Sequence, residues 1–457
     1  MFVDHTFEPS TMSFTQRDAD VIVVGGGLAG LIAAAKVAQA EHSVIVLEQA
    51  RHFGGRAATQ VKSGLHLNLG PHALYCQGHA FRLLKELHVP FSGRFPNPGR
   101  SVLLQGKNEF AFPFSAWSLL TSGLFSLREK WILARLLQEL PRMDVTSLTH
   151  VSLQTWIEQR AGRGNLNAFL RTLARLNTYA DAAETLSAAA ALTQLQVGLS
   201  GNVWYVDGGW QTLIDGLRSR ASEDGTEFRT GSSVKRVERV GNGIKITLAN
   251  GEELHSRAAI LTVSPGAACQ LLNLSEESPL ARWSNTVVPV HAACLDVCLD
   301  RLSRPEHRFA LGLDRSVYYS VHSAAAKLAP EGIAVVHIMK YLREDAEKSY
   351  SNTEAELEGV LDQMQPGWRA QVVERRFLPG MTVSHCLPAA AQGGTVGRPG
   401  VQVQEQPGVF LAGDWVGSRG TLADASAASA EDAANCVLNS FKNESQSATG
   451  SFTHVGN

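Results

Sequence analysis

Apolar positions bunch into short uninterrupted runs near the two ends of the chain and into helical stripes between them. Val21-Ile22-Val23-Val24 is wholly apolar and ends in glycine, the pattern of a strand buried on both faces of a parallel sheet. Residues 28–40 are rich in Ala and Leu and almost free of charge, which predicts a helix buried against that sheet. Val44-Ile45-Val46-Leu47 predicts a second buried strand. Strand, glycine-rich turn, helix and strand in that order form a right-handed crossover, the opening of a doubly wound fold.

The middle of the chain is patterned differently. Residues 81–199 are mostly helical in spacing, in LLKELH, WILARLLQEL, LQTWIEQR and an Ala-rich stretch at 182–192. Between 228 and 263 the period drops to two: residues 233–240 and 244–248 flank a Gly241-Asn242-Gly243 turn, and 258–263 predicts a buried strand. Residues 287–381 alternate strand-like runs with a charged helix at 354–364. Residues 409–412 return to buried-strand character ahead of a small-residue helix at 422–438, and the polar tail 442–457 predicts disorder. The pattern predicts an α/β chain with a discontinuous Rossmann-type domain (1–85, 202–268 and 400–441). A mixed α+β domain (86–201 and 269–399) is inserted into it.

Charge excludes one class of partner. Lys and Arg number 41 against 43 Asp and Glu, so no net positive field draws nucleic acid, and none is expected as a partner. The six cysteines are scattered, with no CxxC and no zinc spacing, so no metal site is expected and a reducing compartment fits. Residues 1–20 carry charges and no apolar run, unlike a cleavable secretion signal, so a cytoplasmic location is expected.

The strongest chemical signal is Gly25-Gly26-Gly27-Leu28-Ala29-Gly30, a GxGxxG that follows a strand and opens a helix. Gly25 permits the tight turn, Gly27 lets the backbone approach a pyrophosphate, and Gly30 lets the helix pack close to the strand. Leu28 and Ala29 lie in the helix's first turn, where amides and the helix dipole favour an anion. Glu48, 18 residues after Gly30, ends the second strand, where a carboxylate can accept from both adenosine ribose hydroxyls. Nicotinamide and flavin dinucleotides share this fingerprint. Two further signals favour flavin. Gly54-Gly55-Arg56 offers close backbone approach and a phosphate-reaching guanidinium, and Val409-Phe410-Leu411-Ala412-Gly413-Asp414 sets a strand, a glycine and an acid ahead of a helix.

VIVVGGGLAGLIAAAKVAQAEHSVIVLEQARHFGGRAAT, together with GVFLAGDWVGSRGTLADASAASAEDAA, resembles the flavin amine oxidase superfamily, which includes protoporphyrinogen oxidases and phytoene-type desaturases. The resemblance implies FAD, held by Gly25, Gly27, Gly30, Glu48, Gly55 and Arg56 at its ADP and diphosphate end. It implies Val234 against the adenine, and Gly413, Asp414 and Leu422 around the ribityl chain and ring. Leu69-Gly70-Pro71-His72-Ala73 resembles the segment that passes the isoalloxazine. His72 is a weak candidate for a catalytic base; a packing role beside the ring is the alternative, since hydride transfer to a flavin often needs no strong base. Asp414-Trp415, Phe112-Pro113-Phe114-Ser115 and the glycine-containing YVDGGWQTL resemble the desaturase and protoporphyrinogen oxidase branch more than classical amine oxidases. Neither a paired aromatic cage nor a covalent-attachment cysteine motif is identifiable, so the FAD is expected to be non-covalent.

Residues 110–127 contain no charge, long enough for a membrane span, but Pro113, Gly123 and several Ser and Thr interrupt it. A core segment, a tunnel wall and a peripheral membrane contact are the remaining readings. No second GxGxxG and no redox CxxC is present, so the substrate itself is expected to reduce the flavin. Oxygen, a quinone or another external carrier is then expected to reoxidise it. The expected reaction removes a hydride from a C–H bond of a largely apolar small molecule. The rivals are an amine oxidase releasing an imine and hydrogen peroxide, and a flavoprotein acting as a non-redox isomerase or sensor.

Overall fold

The computed structural model describes residues 17–97, 99–343 and 350–450. Strand β1 (Ala19–Val24) pairs in parallel with β2 (Val44–Leu47), and helix α1 (Leu28–Ala38) crosses between them. The strand Glu253–Leu261 flanks β1 on its other side, Glu227–Arg229 extends the sheet beyond β2, and Val409–Leu411 pairs with residues 259–261, all in parallel. Uninterrupted apolar runs are stable only where both faces are covered, which is why segments so distant in sequence share one sheet. The C-terminal helix (Leu422–Gly450) and the helix Gln211–Glu223 pack on α1, burying its alanines. The hairpin Val234–Val240/Gly243–Leu248 joins the sheet antiparallel through the first half of Glu253–Leu261.

A second seven-stranded sheet runs, in spatial order, Val372–Ser384, Val290–Leu299, Ala334–Leu342, Val317–Val321, His307–Gly312, Arg100–Gln105 and Asn108–Ala111. Alternation along Val290–Leu299 sorts its faces. Leu295, Val297 and Leu299 meet the helix Tyr350–Met364, whereas Ala292 and Cys294 look toward a layer of helices. That layer comprises Leu127–Glu139, Leu153–Ala161, Asn165–Thr178 and Ala188–Gly201.

Three details depart from the sequence reading. Arg100–Gln105 and Asn108–Ala111 are strands inside the stretch expected to be helical; their few apolar residues carry too little periodicity to tell strand from helix until a partner strand is present. The Ala-rich stretch becomes helical only at Ala188, where the Ser187 hydroxyl accepts from the Ala190 amide and caps the helix. The tail expected to be disordered is helical through Gly450, because Phe441 is buried and Glu444 pairs with Arg257 at 2.7 Å, anchoring polar residues whose composition alone reads as unstructured. Residues 451–457 of that tail lie outside the described residues.

Candidate active site

The glycine turn after β1 separates two jobs. Gly25 sits at φ +110, and a Cβ there would stand 2.5 Å from Thr262 Oγ1; one at Gly30 would stand 2.0 Å from the Gly25 carbonyl. Both glycines are demanded by the packing of the turn. Gly27 has φ −83 and ψ −174, which any residue adopts. A Cβ on Gly27 would meet only the Gly54 carbonyl, at 3.9 Å among the described residues. Open space therefore lies in front of Gly27, beside the end of α1, where Leu28 and Ala29 contribute amides. That end has no side-chain cap and no acid in its first turn. An uncovered positive helix end beside bare backbone suits a diphosphate.

The second glycine pair backs onto the first. The Gly54 amide donates to the Gly26 carbonyl at 2.9 Å, and a Cβ on Gly55 would come within 3.7 Å of Gly27 Cα. Glu48 is fixed by the amides of Gly26 and Ala50, each at 2.8 Å. A carboxylate offers about four lone-pair positions, so two amides leave capacity for ribose hydroxyls. The Ser232 amide donates to the Glu48 carbonyl at 2.9 Å, bringing the start of the strand that begins at Val234 alongside.

Arg56 and Asp414, which the sequence offered as separate phosphate and ribityl contacts, lie together. Arg56 Nη1 is 2.5 Å from Asp414 Oδ2 and 2.9 Å from the Val383 carbonyl. Asp414 is almost fully buried and also accepts from the His385 amide at 3.1 Å and faces its Nδ1 at 3.2 Å. Burial alone would raise this carboxyl; the Arg56 guanidinium and His385 outweigh it and hold the group far below the usual carboxylate range. His385 belongs to no sequence motif, and only the end of the long strand Val372–Ser384 brings it here. The Gly413 amide is held by Ser429 Oγ at 2.9 Å, and Leu422 opens the C-terminal helix at φ +54.

Between the second sheet, the helical layer and the short strand Val203–Val206 lies a cavity of about 680 Å³. Its lining begins at Ala73, the last residue of the Leu69–Ala73 segment, and includes Tyr75, Tyr179, Tyr205 and Tyr318. It ends among Phe112, Phe114, Leu133 and Leu137. Tyr179 Oη donates to the Pro71 carbonyl at 3.1 Å, joining the cavity wall to that segment. Among the described residues the lining includes no Asp or Glu, and Arg308 is its one charged member.

A family profile described as "Flavin containing amine oxidoreductase" matches residues 28–438. The chain belongs to the flavin-containing amine oxidoreductase family. A Mycobacterium tuberculosis protein named as a flavin-containing monoamine oxidase is 25% identical over 250 residues, covering 51% of this chain and 54% of its own length. A 4,4'-diaponeurosporene oxygenase of Staphylococcus aureus is 24% identical over 247 residues, covering 48% and 50% respectively. The chain thus spans about half the length of the curated relatives it matches. An oxidoreductase structure from Methanosarcina mazei shares the fold at TM-score 0.72 and 20% identity, covering 90% of this chain and 99% of that one. The open Gly27 cradle, the half-used Glu48 carboxylate and the uncapped helix end fit the FAD that membership of this family implies.

His72 is held between two backbone turns. Its Nδ1 lies 3.0 Å from the Gly70 carbonyl and its Nε2 3.1 Å from the Arg56 carbonyl. Burial lowers its pKa against the pull of these two carbonyls, and a neutral ring, with one N–H, donates to one of them and sits beside the other. Gly70 itself is at φ +81 with Met381 against it: a Cβ there would meet Met381 Cε at 2.4 Å.

Beneath the same segment is a charged cluster that the sequence did not disclose. Asp296, fully buried, has Oδ1 2.5 Å from His337 Nδ1 and Oδ2 3.0 Å from Arg376 Nε, and accepts from the Cys294 thiol at 3.1 Å. Arg376 also donates to the Asn68 carbonyl, linking the second sheet to the strand before Gly70. Cys294, Asp296 and His337 offer three donors within 4.8 Å of one another. The guanidinium on the carboxylate and a thiol that burial keeps protonated make this a hydrogen-bonded cluster ill suited to a cation.

Asp424, in the first turn of the C-terminal helix, is a further buried acid the sequence did not single out. It accepts from the Ala80 amide at 2.9 Å, yet burial raises its carboxyl to about 6 from 3.8. The folded state therefore holds this proton more tightly than the unfolded chain. The associated stability is complete below the unfolded value and is lost as pH rises through about 6. Asp424→Asn cannot ionise and is expected to be more stable than wild type at pH 7.5, by about 3 kcal/mol, with the gain vanishing near pH 4. Thermal melts across that range check it; a gain independent of pH would contradict the assignment.

Proposed function

We propose that the enzyme is a desaturase or dehydrogenase that removes a hydride from a C–H bond of a largely apolar substrate that carries no positive charge. The reading rests on one observation: the cavity reached by Ala73 of the Leu69–Ala73 segment is walled mostly by aliphatic and aromatic side chains and, among the described residues, has no carboxylate. An amine is cationic at neutral pH, and desolvating that charge in such a cavity without a counter-charge is costly. In this reading the domain built on β1 and β2 holds FAD non-covalently, the second sheet and its helices roof the ring, and substrate lies between them. When bound, FAD supplies the two-electron acceptor at N5. The protein positions the substrate and excludes water, and oxygen, a quinone or another carrier removes the electrons.

Anaerobic bleaching of the flavin tests the proposal directly. Polyenes and porphyrinogens are expected to bleach it, and primary amines and amino acids are not. Ala174→Phe, which fills the cavity lining, is expected to slow bleaching by at least about tenfold at unchanged flavin content. The relative named for monoamine oxidation favours the second reading, an amine oxidised to an imine with release of hydrogen peroxide. Bleaching by amines alone would replace the first reading with that one, and a flavin that no substrate bleaches would favour a non-redox isomerase or sensor.

A further inference from the structure

The charge-free stretch divides: Leu119, Leu124 and Phe125 join the core, and other members lie on the surface. Phe114, Trp117, Leu120, Leu127 and Trp131 are each at least 60% exposed, and they come from one short stretch that includes the helices Ala116–Thr121 and Leu127–Glu139. Large apolar side chains scattered singly over a surface need no explanation, but five within eighteen residues form a patch. Lys130 Nζ donates to the Leu120 carbonyl at 2.6 Å, and this bond ties the two helices together.

We propose that this face docks on a lipid bilayer, with the two helices lying in the headgroup layer. Three observations choose a bilayer over another partner. First, the patch is continuous with the cavity: Phe114 and Leu137 are exposed and also line it, and Phe112, Leu133, Leu136 and Leu140 continue the lining inward. An apolar molecule dissolved in acyl chains would pass from the bilayer to the cavity without crossing water. Second, the charge suits anionic headgroups. Arg128 and Lys130 lie on the longer helix beside the exposed Trp131, whereas its two acids are engaged: Glu129 accepts from the Leu166 amide at 2.9 Å, and Glu139 is already paired with Arg135 at 2.6 Å and Arg160 at 3.4 Å. Third, two of the five exposed side chains are Trp, whose apolar body and N–H suit the boundary between headgroups and acyl chains. Among the described residues no helix is long and apolar enough to cross a membrane, so contact is in the plane of the surface. Substrate delivery rests on the apolar-substrate reading above; the docking itself does not.

The test is vesicle co-sedimentation of the flavin-loaded full chain, with phosphatidylcholine vesicles with and without phosphatidylglycerol. Wild type is expected to sediment with both, more with the anionic ones. Trp117→Ser/Leu127→Ser/Trp131→Ser is expected to lose binding at least about tenfold, at unchanged melting temperature and flavin content, because these side chains are already in water. Wild type left in the supernatant with both vesicles would overturn the proposal, as would a variant that sediments equally well. So would a wild-type dimer in sedimentation velocity that the variant abolishes, since the patch would then cover a second copy. Docking that survives while no apolar compound bleaches the flavin would leave the membrane surface standing and sink the substrate reading alone.

Discussion

Gly27→Leu is expected to give a folded but colourless protein. The backbone at Gly27 is extended and compatible with any residue, and no described atom lies closer than 3.9 Å to the position of a Cβ. The substitution therefore asks nothing of the protein's own packing, but a leucine would fill the space in front of the α1 amides that the diphosphate needs. Flavin absorbance after purification and after incubation with excess FAD should be lost, with far-ultraviolet circular dichroism unchanged. Gly30→Leu should behave differently, because its Cβ would stand 2.0 Å from the Gly25 carbonyl and break the turn itself. A fully yellow Gly27→Leu preparation would move the nucleotide elsewhere.

The second large effect is on stability. Asp296→Ala leaves the buried His337 and the partly buried Arg376 without their shared carboxylate, Arg376 keeping its bond to the Asn68 carbonyl. Breaking a buried ion pair from one side typically costs about 3–5 kcal/mol, far more than Cys294→Ala, which removes a neutral thiol. Burial would raise the Asp296 carboxyl, but His337 and Arg376 hold it below its usual range. Its contribution is therefore present above the ordinary Asp range and is lost as pH falls below it. Urea unfolding at pH 7 checks the size. A loss under about 1 kcal/mol would mean that the cluster is solvated or rearranged and does not clamp the second sheet to the strand before Gly70.

These two sites differ in how they could be read. Gly27 was legible because a nucleotide-binding turn is local: strand, glycines and helix follow within a dozen residues, and each glycine has a steric reason. Glu48 was legible for the same reason, one strand further on. Asp296, His337 and Arg376 sit on three strands, and nothing near any of them in sequence marks it as a partner of the others. His385 stands in the same position relative to Asp414. The strands within the mostly helical stretch 81–199 went unread on a similar ground, since strand character at Arg100–Gln105 comes from pairing with His307–Gly312.

The sequence alone determined the glycine turn between strand and helix, the buried parallel strands and the two-part organisation, because these depend on steric needs and burial patterns carried by consecutive residues. The tertiary structure alone decided that Arg56 and Asp414 form a pair, that His72 sits between the carbonyls of two turns, and that part of the charge-free stretch surfaces at the mouth of an apolar cavity. Each of those facts is a distance between groups far apart in the chain, and a distance of that kind exists only once the core has closed around it.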